Sequence, residues 1–325
     1  MILKTDFIYS LVDLKKYLSS KKWDISKSEL LREKENNFGF SLIIPKYYAD
    51  LINWYDKNDP LAKMVLISKL ENNNKSEELV DPIGDKKYSV VPGVIHRYKD
   101  RCLLMLTNTC FVHCRFCFRR NILHENKADV KKSLNYISEH KEIREVIFSG
   151  GDAFILTDYS LEKTISELKK IPHVKILRFH TRTPVVYPKR VNQKLVNILT
   201  KYSPAIVVVH INHAREISEG FKRAINLMKK AGIMLLSQSV LLKGVNDNAK
   251  TLKELFYKLV ETGVKPYYLH HPDLVKGTGH FYLTLEKGKT IINQLKSSIS
   301  GVCIPDYVIE LTKAQKKASV LSIDL

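Results

Sequence analysis

"RCLLMLTNTCFVHCRFCFRR", residues 101–120, joins a short apolar run to three cysteines and then to two arginines. The apolar run has the length of one strand, and the cysteines beyond it sit in a loop with chemistry in it. Cys110, Cys114 and Cys117 stand in a C-x3-C-x2-C spacing within a chain that has five cysteines. An odd count with three thiols crowded together fits metal ligation in a reducing compartment better than a disulfide framework. Three thiolates could hold zinc with a fourth ligand from elsewhere, or an iron–sulfur cluster with one iron left open. His113 adjoins Cys114 and is awkwardly placed to reach the same ion. Cys102 and Cys303, isolated in apolar surroundings, read as core thiols.

Working outward, the run at 102 is the first of six. "EVIFSGGD" from 145, "KILRFHTRT" from 175, "AIVVVHINH" from 205, "IMLLSQSVLL" from 233 and "KPYYLHHPD" from 265 come after it, and past the first gap the period is near 30 residues. Between them lie segments of helical periodicity such as "DYSLEKTISELKKI" and "NAKTLKELFYKLVETG". Strands alternating with helices imply a parallel sheet, because every crossover carries a helix. Each run ends in reactive residue types: Cys110, Asp152, His180 and Arg182, His210 and His213, Gln238, then His271 and Asp273. For six strand ends to converge on one site the sheet must curve, so the expected fold is α/β, a partial (β/α)6 barrel. The expected organisation is a helical N-terminal lobe over 1–95, the barrel core over 96–284, and a C-terminal helix and tail over 285–325.

A formal net charge of +19 invites a nucleic-acid reading, but 41 of the 53 basic residues are lysines spread over helix-like segments, as on solvated faces. The arginines are different. Arg97, Arg101, Arg115, Arg119 and Arg120 fall within 24 residues around the cysteines, which suggests anionic ligands there. The longest apolar stretches are too short to span a membrane, and Asp6 interrupts any signal-like start, so a cytoplasmic protein is expected.

The cysteine spacing after a first strand, with the βα series behind it, resembles the radical S-adenosylmethionine superfamily. In that resemblance the three cysteines hold a [4Fe-4S] cluster, and "FSGGD" is similar to the segment that meets the cosubstrate through Gly150, Gly151 and Asp152. Further segments narrow the likeness: "YSVVPGVIHRYKDR", "CRFCFRR", "HTRTPVV", "HINHAREI", "QSVLLKGVNDNAKTL", "PYYLHHPDLVKGTGHF" and "SGVCIPDYVIEL". In order along some 230 residues they resemble the lysine 2,3-aminomutase family, and most closely its short bacterial branch that makes (R)-β-lysine for elongation factor P.

That resemblance implies an isomerase using a [4Fe-4S] cluster, S-adenosylmethionine and pyridoxal phosphate, fed by an external electron donor such as flavodoxin or ferredoxin. It places Arg97, Arg101 and Arg182 near the pyridoxal phosphate and Arg119 on the substrate carboxylate. His213 and Gln238 are expected near S-adenosylmethionine. The lysine carrying pyridoxal phosphate should follow an acidic position by seven residues, which from Glu310 reaches Lys317; Lys313 and Lys316 are rivals, and the usual glycine-rich run is missing from "LTKAQKKASV". Asp273 and Glu310 would face the distal ammonium of L-lysine, whereas a glutamate side chain would be repelled there. The longer catabolic members carry a further cysteine-bearing tail, absent here, which favours the elongation factor P branch and an indirect link to its β-lysine ligase. The alternatives are a radical enzyme modifying RNA, which would lack pyridoxal phosphate, and an aminomutase on another amino acid.

Overall fold

The computed structural model describes residues 4–28, 30, 40–73, 77–123, 128–202, 204–311 and 316–322. The chain opens with β1 (Phe7–Ile8), α1 (Leu11–Ser20), β2 (Ile44–Pro45), α2 (Lys46–Ala49) and α3 (Pro60–Val65). β1 and β2 pair as a small antiparallel sheet, so this lobe is mixed rather than wholly helical. The main sheet then begins with β3 (Ser89–Val91), β4 (Val94–Tyr98) and β5 (Arg101–Leu104). β3 and β4 form a hairpin whose turn places Gly93 at φ +95°, a left-handed conformation that glycine adopts without strain.

From β5 the expected alternation continues: α4 (Val130–Glu139), β6 (Glu145–Phe148), α5 (Asp158–Lys169), β7 (Ile176–Thr181), α6 (Thr183–Val186), α7 (Gln193–Lys201), β8 (Ala205–His210), α8 (Glu219–Lys230), β9 (Met234–Val240), α9 (Ala249–Thr262) and β10 (Lys265–His270). α10 (Leu285–Lys296) leads to β11 (Asp306–Leu311) and β12 (Lys316–Ser319). The crossover helices start where polar caps allow. Asp129, Thr157, Asn192, Ser218, Asn248 and Thr284 each accept a backbone N–H three residues on, which offsets one orphan donor and contributes about 1 kcal/mol apiece. α8 shows the burial logic: Phe221, Ala224, Ile225 and Met228, at helical spacing, are buried, and each large apolar side chain among them stabilises the fold by about 1.5–3 kcal/mol.

The ten strands run in the order β12-β11-β10-β9-β8-β7-β6-β5-β4-β3. β5 through β11 are parallel, while β4 and β12 flank them antiparallel. In-register residues Leu104, Phe148, Phe179, Val207 and Leu235 form one buried row, facing the helices. The alternate residues, including Ile147, Arg178, His180, His210 and Gln238, point to the concave side. The sheet stays open yet curls: Arg97 on β4 and Glu310 on β11 meet at 2.8 Å although six strands separate them in the ladder. The partial barrel expected from sequence is therefore present, with two corrections at its edges. The sheet starts at Ser89, inside the stretch assigned to the helical lobe, and the residues after α10 extend it by two strands where a tail was expected. Among the described residues no helix is long and apolar enough to cross a membrane.

Candidate active site

The loop between β5 and α4 carries the three cysteines and is tied down by backbone bonds to the N-terminal lobe. His113 N–H donates to Ile43 O at 3.0 Å and Arg115 N–H to Met64 O at 2.9 Å. Arg115, fully buried, donates twice to Glu71 and once to Phe40 O. Arg120 donates to the same Glu71 carboxylate at 2.5 Å and to Gly277 O at 2.9 Å. Burial would push the Glu71 carboxyl up, but Arg115 and Arg120 outweigh it and hold it below the usual range. These two arginines fasten the loop to a buried acid and leave no fork for an external anion.

Burial raises all three cysteine thiols; Asp152 adds to it at Cys110, Arg182 opposes it at Cys114, and Cys117, with Cys114 beside it, reaches about 11. Three thiols on one loop, at C-x3-C-x2-C spacing, are a donor set that fits three corners of an iron–sulfur cluster. Arg182 stands against this loop: its Nη1 donates to Cys114 Sγ at 2.8 Å and its Nη2 to Glu216 Oε1 at 2.7 Å. The turn after β7 aims it at the cysteines, and it does not line the cavity described below.

The Gly-Gly-Asp segment after β6 lies along the same loop. Gly151 N–H donates to Thr107 O at 3.0 Å and Asp152 N–H to Thr109 O at 3.0 Å. A Cβ on Gly151 would stand 2.4 Å from Thr109 O, so only glycine permits this approach. The Asp152 carboxylate is occupied by Thr181 Oγ1, Thr183 Oγ1 and the N–H groups of Phe154, Arg182 and Thr183. Its residual pKa shift is upward, from burial, against those bonds. Asp152 thus braces the β7–α6 turn with its side chain, and only its backbone faces the cysteine loop.

Inside the curl is a cavity of about 720 Å³, bounded toward the loop by Phe116, Phe118, Arg119 and Ser149 and on the far side by Asp273, Glu310 and Lys317. A volume of that size suits organic ligands. Lys317 Nζ lies 3.1 Å from Glu310 Oε2. Glu310 Oε1 also accepts from Arg97 Nη1 at 2.8 Å and Tyr98 OH at 2.6 Å. Burial works against this carboxylate, but Lys317, Tyr98 and Arg97 together bring it down to about 2. Asp273 goes the other way: burial first, then Glu310, push it up to about 7. His180 Nε2 and His210 Nε2 are buried on the wall without a hydrogen-bond partner. Burial keeps His210 and His270 down at about 3, so both imidazoles are neutral near pH 7. Unpaired buried nitrogens facing a large cavity mark it as a place for a polar ligand.

The sequence of the barrel matches the radical SAM superfamily over residues 104–256. L-lysine 2,3-aminomutase of Clostridium subterminale is 39% identical over 319 residues, covering 97% of this chain and 76% of that protein. The chain belongs to the lysine 2,3-aminomutase family. The Escherichia coli protein of the same name is 38% identical over 291 residues, covering 88% of this chain and 85% of that one. Among solved structures, Streptococcus suis SuiB bound to S-adenosylmethionine superposes with a TM-score of 0.50 at 13% identity, covering 70% of this chain and 52% of that chain, a likeness of fold. The chain is accordingly an isomerase of the aminomutase class, whose cofactors are a [4Fe-4S] cluster, S-adenosylmethionine and pyridoxal phosphate.

Against that family background the residues expected from sequence fall into three groups. Arg97, Arg101, Arg119, Gln238, Asp273, Glu310 and Lys317 line one cavity. Arg182 stands with the cysteines. His213 is apart from both: its ring accepts from Arg215 N–H at 3.1 Å and its own N–H donates to Glu216, so it caps a turn. Of the rival lysines, Lys313 and the Lys316 side chain lie outside the described residues. Sequence reasoning missed Asp85, which accepts from Arg119 Nε at 2.7 Å and Arg97 Nη2 at 3.2 Å, and the Arg178–Glu145 pair on the wall. Asp85 follows Gly84, whose φ of +69° closes a turn, and only that turn signal was readable in advance.

Proposed function

We propose that this protein converts L-lysine to (R)-β-lysine within the cavity, and that the product serves the modification of elongation factor P through a ligase. The observation carrying this reading is that one cavity runs from the cysteine loop to a lysine paired with a glutamate, with a second acid, Asp273, on the same wall. In the reading, Cys110, Cys114 and Cys117 hold a [4Fe-4S] cluster, and Lys317 holds pyridoxal phosphate through its ε-amino group. Those cofactors, with S-adenosylmethionine, supply the radical chemistry that moves the amino group from Cα to Cβ.

The chain's own residues bind, orient and shield. Phe116 and Phe118 keep water from the space between the cysteine loop and the substrate. Arg119, braced by Asp85, presents its remaining N–H groups to the amino acid's carboxylate, and Arg101 at the rim answers the phosphate. Gln238, beside His210 in the β8–β9 register, is assigned to S-adenosylmethionine, as are the backbones of Gly150 and Gly151. Asp273 and Glu310 receive the distal ammonium of lysine. A glutamate substrate would set a third carboxylate against these two, which their mutual effect on titration already opposes.

Support for the elongation factor P branch comes from the ordered segments shared with the short bacterial members. A low-potential donor such as flavodoxin or ferredoxin is assigned as the electron source, and five cysteines with no disulfide among them suit a reducing cytoplasm. The test is anaerobic incubation of reconstituted protein with lysine, dithionite and both organic cofactors, then chromatography for β-lysine. Appearance of β-lysine supports the proposal; turnover of glutamate, or of RNA in a protein without a pyridoxal absorbance band, would overturn it.

A further inference from the structure

We infer that Arg182 is a positioning residue that sets how readily the group held by Cys110, Cys114 and Cys117 accepts an electron, by keeping a fixed positive charge and an N–H donor against one sulfur ligand. The inference rests on reading those cysteines as ligands of a [4Fe-4S] cluster.

Arg182 follows β7 directly and is only 6% exposed. Its Nη1 lies 2.8 Å from Cys114 Sγ. Its other fork nitrogen is held by Glu216 at 2.7 Å and approaches Tyr48 OH at 3.4 Å. Glu216 is itself clamped: it accepts from Tyr48 OH at 2.8 Å, Asn212 N–H at 2.7 Å and His213 N–H at 3.1 Å. Rings of Phe116 and Tyr48 flank the guanidinium at 5.2 and 5.7 Å. The charge therefore cannot swing away from the sulfur without breaking a network drawn from the N-terminal lobe and two barrel loops.

A cluster that gains one electron, supplied by a low-potential one-electron donor, places more negative charge on its sulfur ligands. A cation and an N–H donor in a buried, weakly screening site stabilise that reduced form over the oxidised one. Arginine keeps its charge at any working pH, so no proton need accompany the electron. Glu216, by opposing part of that charge, pulls the other way. Removing the positive partner and removing the negative one should then shift the midpoint potential in opposite directions, which a purely mechanical brace would not do.

The experiment is an EPR-monitored potentiometric titration of anaerobically reconstituted wild-type, Arg182→Met, Arg182→Lys and Glu216→Gln proteins, with dithionite as reductant and iron counted in each. We expect Arg182→Met to move the midpoint to more negative potential, Arg182→Lys to fall between it and wild type, and Glu216→Gln to move it to more positive potential. Midpoints indistinguishable from wild type at full iron content would overturn the inference. If Arg182→Met fails to retain iron, the Arg182→Lys and Glu216→Gln pair decides: shifts of opposite sign support it and shifts of the same sign overturn it. A wild-type protein that binds no iron would instead overturn the ligand assignment, and the inference with it.

Discussion

Lys317 and Glu310 face each other across the antiparallel β11–β12 ladder, with Nζ 3.1 Å from Oε2. The pairing converts a seven-residue spacing into a contact, because antiparallel pairing of β11 with β12 sets Glu310 opposite Lys317 in register. It also gives Lys317 a fixed position on the cavity wall with no glycine-rich run before it.

Replacing Lys317 with alanine should abolish the pyridoxal absorbance that survives gel filtration while leaving iron content at the wild-type level. Borohydride reduction of the wild-type holoprotein and subsequent peptide mass spectrometry should locate the cofactor at residue 317. Recovery at residue 313 or 316 would reject the assignment.

Burial, and then Glu310, push the Asp273 carboxyl up to about 7. An acid whose folded-state pKa is raised above its ordinary value of about 3.9 stabilises the fold fully below about pH 3.9, and that contribution is lost as pH rises through about 7. Asp273→Asn should therefore raise the melting temperature of the free protein more at pH 8 than at pH 5. The same substitution should weaken lysine binding. In the wild type, lysine affinity should climb as pH rises through about 7, since the ammonium needs the carboxylate form; calorimetry in two buffers of different ionisation heat would register the released proton.

Glu310 shows the opposite sign. Its carboxyl is held down at about 2 because Lys317, Tyr98 and Arg97 outweigh its burial. The stabilisation is present above the ordinary value of about 4.3 and is lost as pH falls through about 2. Glu310→Ala removes one of Arg97's two carboxylate partners and leaves Asp85, and with Arg97's side chain 5% exposed it should cost about 1.5–3 kcal/mol in urea unfolding at neutral pH. The gap between wild type and Glu310→Gln should narrow steadily as pH is lowered from about 4.3 toward about 2.

Gly151→Ala would drive a methyl group into Thr109 O and N, at 2.4 and 2.6 Å, both backbone atoms next to Cys110. The cysteine loop must shift, and reconstituted protein should bind markedly less iron. Gly301→Ala is the matched comparison: nothing lies within 4 Å of its added carbon, and its stability and iron content should stay within about 0.5 kcal/mol and experimental error of wild type.

What could be read from the chain divides along physical lines. The six barrel strands and their crossover helices were legible because period-two and period-3.6 apolar patterns act locally, and the cysteine loop because its ligands are neighbours in sequence. Residues 89–98 fall in the expected helical lobe or at its border, yet "SVVPGVIHRY" holds a hairpin signal, β-branched runs split by Pro92-Gly93, which could have found β3 and β4. The destinations of the arginines were not legible. Arg115 and Arg120 turn to Glu71, Arg97 and Arg119 to Asp85, and Arg182 to Glu216, over separations of 12 to 49 residues that no local spacing encodes. Clustered arginines suggest awaited anions; most of them are already answered by acids within the chain.

The seam between β4 and β11 has a consequence for how the barrel wall responds to its surroundings. Elsewhere neighbouring strands are laced by backbone amides, whose pairing is indifferent to acid and salt. At the seam the wall is joined through Arg97, Tyr98 and Glu310 side chains. A juncture made of ions loosens when its carboxylate is neutralised and reseals when the charge returns. Amide exchange along β4 should therefore quicken in acid well before the inner strands yield, marking this flank as the hinge of the vessel.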